Sequence, residues 1–455
     1  MRSILDKDNL SKELKMKKLF GLLLLVILLG TGYYFVFGSA KITKELKTRV
    51  DTQLRILQAN GFSIDDRKAE QKKEHFVVTY TDPQKITRFL KSRNIAISDE
   101  EATMLKGLRV GVDLTYLQGT YSALSVDLYP ISLPPALLQS EDRVDRESLE
   151  KLVREKVLVA HIDINKLFNA YRGTLKDINT TLKGKETLRL FSKDFAFAGS
   201  FDRKGLNSAS NTIAELNISD SDGTALYLSG LDGTYTHTGG TLYDFTTQYG
   251  IETLKLRDGT SQSVTLRHFN LKTIGKEENR TVSSQNTLTI TALAVNEHRQ
   301  KHYFEGIDGH FLLENISVEA LEKMQHVDPD DSEGFNQAFK LLLSKGITVK
   351  MDSLSVKKIK ENNSGPIDGF TARSLLKIDK VTDFKSLEEN PFLILSILDA
   401  SVHIELSDAL YLELRKRPEF TIATLFFSPV SKNQKQIYDL TYKDGSLKVN
   451  GRPLL

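Results

Sequence analysis

The sequence predicts a β-dominated α+β protein in which a single N-terminal transmembrane helix precedes an extended antiparallel sheet with short helices. Three observations predict it. Leu19 to Phe37 is an unbroken run of uncharged, mostly apolar residues. From Phe195 to about Ser317, apolar residues recur at period two with no long helical period between them. Asp-Gly pairs, which readily supply the positive φ angles of tight hairpins, punctuate the same stretch.

Residues 1–18 read as a cytoplasmic tail and 19–37 as the membrane span. At about 1.5 Å per residue a helix of this length covers about 28 Å, close to the ~30 Å hydrocarbon core. Lys17 and Lys18 stand at one edge and Tyr33, Tyr34 and Phe37 at the other, where snorkelling cations and interfacial rings belong. A cleaved signal peptide is the alternative, with Gly38-Ser39-Ala40 as its site, but the run exceeds the usual apolar region of about 7 to 15 residues. Translation from Met16 would shorten the tail to the pattern of a standard signal anchor. Lys41, Lys44, Lys47 and Arg49 follow the span as closely as lysines precede it, which blunts the charge asymmetry. A lone anchor ahead of a large domain commonly exports that domain, so the C-terminal bulk is expected outside the cytoplasm.

Ile42, Leu46, Val50, Leu54 and Leu57 recur at helical spacing and stop at Asn60-Gly61, giving a helical stem over 38–60 that packs on its own domain or self-associates. Residues 61–194 read as a mixed α/β membrane-proximal region. Strands are expected at His75 to Thr81, within Leu108 to Leu133 and at Val157 to Ile164. Helices are expected at Gln84 to Arg93, over 141–156 and around Leu167, Phe168 and Tyr171. Residues 195–318 form the antiparallel β region. Its internal echo, Tyr227-Leu-Ser-Gly230-Leu-Asp-Gly233 against Tyr303-Phe-Glu-Gly306-Ile-Asp-Gly309, reads as two hairpins obeying one turn rule or as a duplicated unit. Residues 319–455 alternate short helices and strands: a helix over Glu333 to Lys345 stopped by Gly346, a capping box at Ser386 to Glu389, and a closing hairpin from Tyr442.

Charge and composition narrow the function. With 62 basic against 59 acidic residues the net charge is +3, which leaves no domain-scale footprint for nucleic acid. There is no cysteine, so disulfides, thiolate ligands and a cysteine nucleophile are excluded together. No phosphate loop, dinucleotide fingerprint, nucleophile elbow or His-Glu-x-x-His occurs, and no catalytic residue, cofactor or metal ligand is assigned. His298 and His302 with Asp308 and His310 are the nearest approach to a zinc set, and they read as surface histidines. Asp328, Asp330, Asp331 and Glu333 bunch as in a calcium loop but lack its sixth-position Gly and twelfth-position Glu. Asn179, Asn217 and Asn279 each have an acidic residue two positions before and a hydroxyl residue two after, which makes them candidate N-glycan acceptors of the extended bacterial type.

The segments Phe311-Leu-Leu-Glu-Asn-Ile-Ser-Val-Glu-Ala-Leu, Gly346-Ile-Thr-Val-Lys-Met-Asp, Asn390-Pro-Phe-Leu-Ile-Leu-Ser-Ile-Leu-Asp-Ala and Tyr442-Lys-Asp-Gly-Ser-Leu-Lys-Val-Asn-Gly together resemble the YdgA-like family of bacterial envelope proteins. The resemblance covers the anchor and most of 195–455. It implies an anchor in a bacterial inner membrane, a large exported region in the periplasm, and no catalytic residues. Two functions are therefore expected. The first is a non-enzymatic envelope protein, membrane-lipid-bound through its anchor, that scaffolds a protein partner or handles lipid on an apolar sheet face. The second is an envelope hydrolase with an unfamiliar active site near His298 and His302.

Overall fold

The computed structural model describes residues 46–91, 99–117, 121–139, 143–183, 187–202, 205–259, 262–297, 300–324, 327, 332–362 and 364–454. Strand outweighs helix, 59% against 22%. The chain divides into two compact units after Gly223.

The first unit contains α1 (Leu46–Ala59), β1 (Phe62–Ala69), β2 (Lys73–Tyr80), α2 (Pro83–Lys91), α3 (Asp99–Met104), β3 (Arg109–Tyr116), β4 (Ser122–Ser132), α4 (Pro135–Gln139), α5 (Arg143–Arg154), β5 (Ala160–Asn165), β6 (Ala170–Leu175), β7 (Ile178–Leu182), β8 (Leu188–Lys193), β9 (Ala196–Asp202) and β10 (Gly205–Asp220). Strands β1 to β6 pair consecutively and antiparallel. Next β6 pairs with β9, β7 with β8, and both β8 and β9 with β10. So β6 and β7 are halves of one long strand, as are β8 and β9. The second interruption falls at Asp194, whose φ is +51° and whose N–H donates to Asp177 Oδ1 at 2.9 Å.

Alternation puts one face of this sheet under helices. Val50 and Leu54 of α1 close over Phe76, Val112, Leu114, Leu124, Val126 and Ile162. Leu152 of α5 packs on Ile178 and Leu182, and Ile86, Phe89 and Leu90 of α2 pack on Phe62. A polar clamp ties α1 to the strands. The Glu74 side chain, 0% exposed, accepts from Arg67 Nε at 2.5 Å and from the Tyr116 hydroxyl at 2.7 Å, and Arg67 also pairs with Asp51 of α1. A buried carboxylate held this way has its partners supplied by separate elements of the unit. Burial, then the bond to Glu74, push the Tyr116 hydroxyl up from its ordinary range.

The second unit contains β11 (Ala225–His237), β12 (Phe245–Asp258), β13 (Gln262–Glu278), β14 (Thr281–Glu297), β15 (Gln300–Ser317), α6 (Val318–Met324), α7 (Ser332–Leu343), β16 (Ile347–Glu361), β17 (Ile367–Ile378), α8 (Phe384–Glu389), a 3-10 turn (Pro391–Ile397), β18 (Leu398–Ser407), α9 (Asp408–Leu414), α10 (Pro418–Phe426), β19 (Val430–Lys432), β20 (Lys435–Lys443), β21 (Ser446–Val449) and β22 (Arg452–Pro453). Strands β11 to β18 pair in sequence order, each antiparallel to the next, with α6 and α7 between β15 and β16 and α8 and the 3-10 turn between β17 and β18. Then β18 pairs with β20, which takes β19 and β21 on its other edge, and β22 follows β21.

The fold class is corrected in one respect. Among the described residues no helix is long and apolar enough to cross a membrane; the longest, α1, has 14 residues and carries Lys47, Arg49, Asp51 and Arg55. Leu19 and Phe37, which bound the expected span, lie outside the described residues, as does the start of the expected stem. From Leu46 onward the chain forms a helix packed on its own sheet through Val50 and Leu54 and stopped at Gly61, where φ is +94°.

Three local expectations also change. No helix forms around Leu167 and Phe168: Phe168 takes φ +55° in the turn between β5 and β6, and Tyr171 joins β6. At α8 the cap is Asp383, whose carboxylate accepts from Ser386 N at 3.0 Å, so Ser386 lies inside the helix rather than at its start. The Asp-Gly pairs split into two groups. Asp222-Gly223 and Asp444-Gly445 make turns and Asp258-Gly259 ends β12 in one, whereas Asp232-Gly233, Asp308-Gly309 and Asp368-Gly369 sit inside β11, β15 and β17.

Candidate functional site

The register of the second unit aligns apolar residues into rows that run across the strands. Leu228, Leu254, Leu266, Leu293, Phe304, Ile359 and Ile367 are successive partners from β11 to β17. Leu231, Ile251, Phe269, Ile290, Ile307, Val356, Phe370 and Leu406 are successive partners from β11 to β18. In an undisturbed strand, residues on one face lie two positions apart. Here the two rows lie three apart in each strand from β11 to β17, as in Leu228 and Leu231 or Leu266 and Phe269.

The extra residue is accommodated along a crease. Gly230, Glu252, His268, Thr291, Gly306, Lys357 and Gly369 occupy one row, and none is in a ladder pair. On β11, β13 and β15 this residue is left-handed: φ is +59° at Gly230, +48° at His268 and +64° at Gly306. A one-residue slip normally sends a whole apolar set to the opposite face, and an inserted residue with positive φ undoes it by kinking the strand. The crease thus keeps both apolar rows on one face. At Gly369 the crossing is tightest, since a Cβ there would stand 2.0 Å from the Val356 carbonyl oxygen.

The echo between 227–233 and 303–309 marks this crease. Both copies cross it, at Gly230 and Gly306, and neither is a hairpin. The signal was in the sequence as apolar residues three apart in successive strands, but it reads as broken alternation until the register is known.

Helices cover only one end of the apolar face. Leu410 of α9 packs with Val356, Ile359, Leu406 and Tyr438, and Phe304, Ile307, Phe370 and Tyr411 surround them. Burial pushes the Tyr438 hydroxyl up to about 12. The same rows on β11 to β14 contribute to none of the buried clusters among the described residues, and of their members there only Ile290 on β14 is buried. Within this unit the helices that pack extensively on strands do so on β15, β17, β18 and β20. Leu226, Leu228, Leu254 and Leu266 are therefore screened mainly by their lateral neighbours, and Leu256 and Tyr249 are 43% and 44% exposed. A second apolar surface lies on the 3-10 turn between β17 and β18, where Phe392 is 77% exposed beside Leu393 and Leu395.

The residues singled out in the sequence fall elsewhere. His298 lies outside the described residues, as do Asp328, Asp330 and Asp331; Glu333 sits in the first turn of α7. His302 meets Glu361 at 3.6 Å, and His310 meets Asp308 at 3.2 Å. These are two separate pairs, eight residues apart on β15, about 26 Å of extended strand. Among the described residues no group of three or more His, Asp or Glu side chains could hold a metal ion. Asn179 and Asn217 are brought together, each a ladder partner of Phe191, on β7 and β10. Asn279 stands apart in the two-residue turn joining β13 to β14, with φ +53° followed by +61° at Arg280.

No protein family, no curated protein and no solved structure matches this chain.

Proposed function

We propose that this is a non-enzymatic envelope protein of the YdgA-like kind that handles lipid, seating acyl chains on the apolar face of β11 to β14. One observation carries the reading: seven strands each insert a residue at the same row, and the outcome is two continuous apolar rows of which helices cover only one end. Burying apolar area is the dominant favourable term in association, and an unbranched chain needs only continuous apolar surface without fixed polar partners. Across four strands at ~4.8 Å spacing a row offers about 14 Å of such surface. The exposed Phe392, Leu393 and Leu395 supply a second place for contact with a bilayer. The apolar run 19–37 supports a membrane location, and the missing signatures of hydrolases and cofactor enzymes favour this reading over the envelope hydrolase.

The test is transfer of a fluorescent phosphatidylethanolamine between phosphatidylethanolamine/phosphatidylglycerol vesicles by the purified full chain, with mass spectrometry of lipid that co-purifies. Transfer that Leu254→Asp or Leu266→Asp abolishes without loss of fold is expected. An absence of both transfer and co-purified lipid overturns the lipid reading.

A further inference from the structure

A different surface, on the first unit, is built in another way. Strands β7, β8 and β10 lie side by side, and their register sets polar residues around one aromatic ring. Asn179, Phe191 and Asn217 are successive partners; one step away along the same face are Thr181, Arg189 and Ser219, and on the other side Lys193 opposes Glu215. All of these except Lys193 line a concavity of about 330 Å3. At several other places facing polar residues pair with each other across strands, as His75 does with Asp113, His161 with Asp127 and Lys358 with Asp368. Here they do not. None of Asn179, Arg189, Glu215 and Asn217 has a side-chain hydrogen bond or ion pair to another described residue.

The two amides each offer a donor pair and an acceptor, Arg189 offers only donors and Glu215 only acceptors. The charges oppose, so the site has no single sign and does not select an anion or a cation. An aromatic ring between two amides, with one fork of donors and one carboxylate around it, matches a ring-shaped ligand with an apolar C–H face and hydroxyls around its edge. We propose that this concavity binds a pyranose sugar, its C–H face against Phe191 and its hydroxyls on Asn179, Asn217, Arg189 and Glu215. The volume falls at the lower end of small-molecule pockets, room for one or two sugar rings. Asn179 and Asn217, which read in the sequence as glycan acceptors, are in this arrangement sugar-binding residues held in the middle of paired strands.

This inference is independent of the lipid reading, because the two surfaces belong to different units. The test is isothermal titration of the full chain with cellotriose and with tri-N-acetylchitotriose. Phe191→Leu keeps an apolar side chain but removes the ring face, and Asn179→Ala alters an exposed side chain. Binding of at least one trisaccharide is expected, weakened about tenfold or more by either variant while the melting temperature holds. Should Phe191→Leu fail to fold, Asn179→Ala alone decides. No heat of binding from either sugar at ~20 mM, or binding undiminished in the folded variants, overturns the proposal.

Discussion

The sheet of the first unit and the β11 to β14 sheet of the second are made in the same way, from antiparallel strands that alternate apolar and polar residues, yet only the first is roofed. In the first unit helices interrupt the strand sequence: α1 precedes β1, α2 and α3 separate β2 from β3, and α4 and α5 separate β4 from β5. Several supply an apolar stripe, such as Val50 and Leu54, to the face that alternation has already created. From β11 to β15 every connection is short, and no helix is made until Val318. A meander of hairpins produces an apolar face and nothing to put on it. The difference lies in the connections, and it leaves the β11 to β14 face without a helix of its own unit packed extensively on it.

The comparison breaks most visibly under truncation of a leucine. Leu124 on β4 is 0% exposed beneath α1, so Leu124→Ala should cost about 2–5 kcal/mol. Leu254 on β12 is only half-buried and belongs to no closed cluster, so Leu254→Ala should cost about 1–2 kcal/mol, since less apolar area is lost and no closed cavity forms. Urea denaturation of both variants measures the contrast. Equal losses would mean that the β12 face is as well covered as the β4 face, and the open surface would be lost with that result.

Much of this architecture was legible in the sequence. The succession of strands between 195 and 317, the helix ended by Gly346 and the hairpin at Asp444-Gly445 follow from period and turn chemistry. The failures have a common physical origin. Asp232-Gly233 and Asp308-Gly309 look like hairpin turns because local chemistry permits positive φ there, but the chain spends that freedom a few residues earlier, at Gly230 and Gly306, to kink a continuing strand. Phe168 adopts positive φ against its own preference because β5 and β6 must pair around it. The sugar-binding cluster was invisible for a further reason: Asn179, Phe191 and Asn217 are neighbours only once β7, β8 and β10 are in register, and the sequence placed them in separate motifs.

Substitutions in the crease have an intermediate effect, because the crease is what keeps both apolar rows on one face. Gly369→Ala drives a methyl into the Val356 carbonyl oxygen and should cost about 1–3 kcal/mol. Gly306→Ala meets the flexible Lys357 side chain, which can move, so its cost is that of the left-handed backbone, about 1–2 kcal/mol. His268 holds the same conformation without being glycine, so His268→Gly should be neutral or slightly stabilising. Thermal melts rank the three. A Gly306→Ala variant as stable as the parent would remove the crease as a feature that constrains the strands.

The smallest effect concerns the opposite face of the covered end of the second unit, where charged residues of β18 and β20 meet behind the apolar cluster. His403 on β18 lies 2.5 Å from Asp439 on β20 through Nδ1 and 3.2 Å from Glu405 through Nε2, while Lys435 Nζ donates to Glu405 at 2.5 Å. The Asp439 hydrogen bond first, then that to Glu405, hold the His403 imidazolium above its ordinary range against a desolvation that lowers it. The Lys435 bond first, then that to His403, hold the Glu405 carboxyl below its own. A raised histidine contributes stability that is fully present below its unfolded pKa near 6.5 and is lost as pH rises through the folded value. A depressed carboxyl contributes stability present above its unfolded pKa and lost as pH falls through the folded one. His403→Gln should therefore destabilise the protein at about pH 5.5 and much less at about pH 8.5, whereas Lys435→Met should act above about pH 5 with little change toward alkaline pH. Denaturation midpoints across that range separate the two. The margin is narrow because the pairs are partly exposed and salt-screened, so the measurement belongs at low ionic strength. A His403→Gln loss that is the same at both ends of the range would show that the residue acts through packing on β20 and not through its charge.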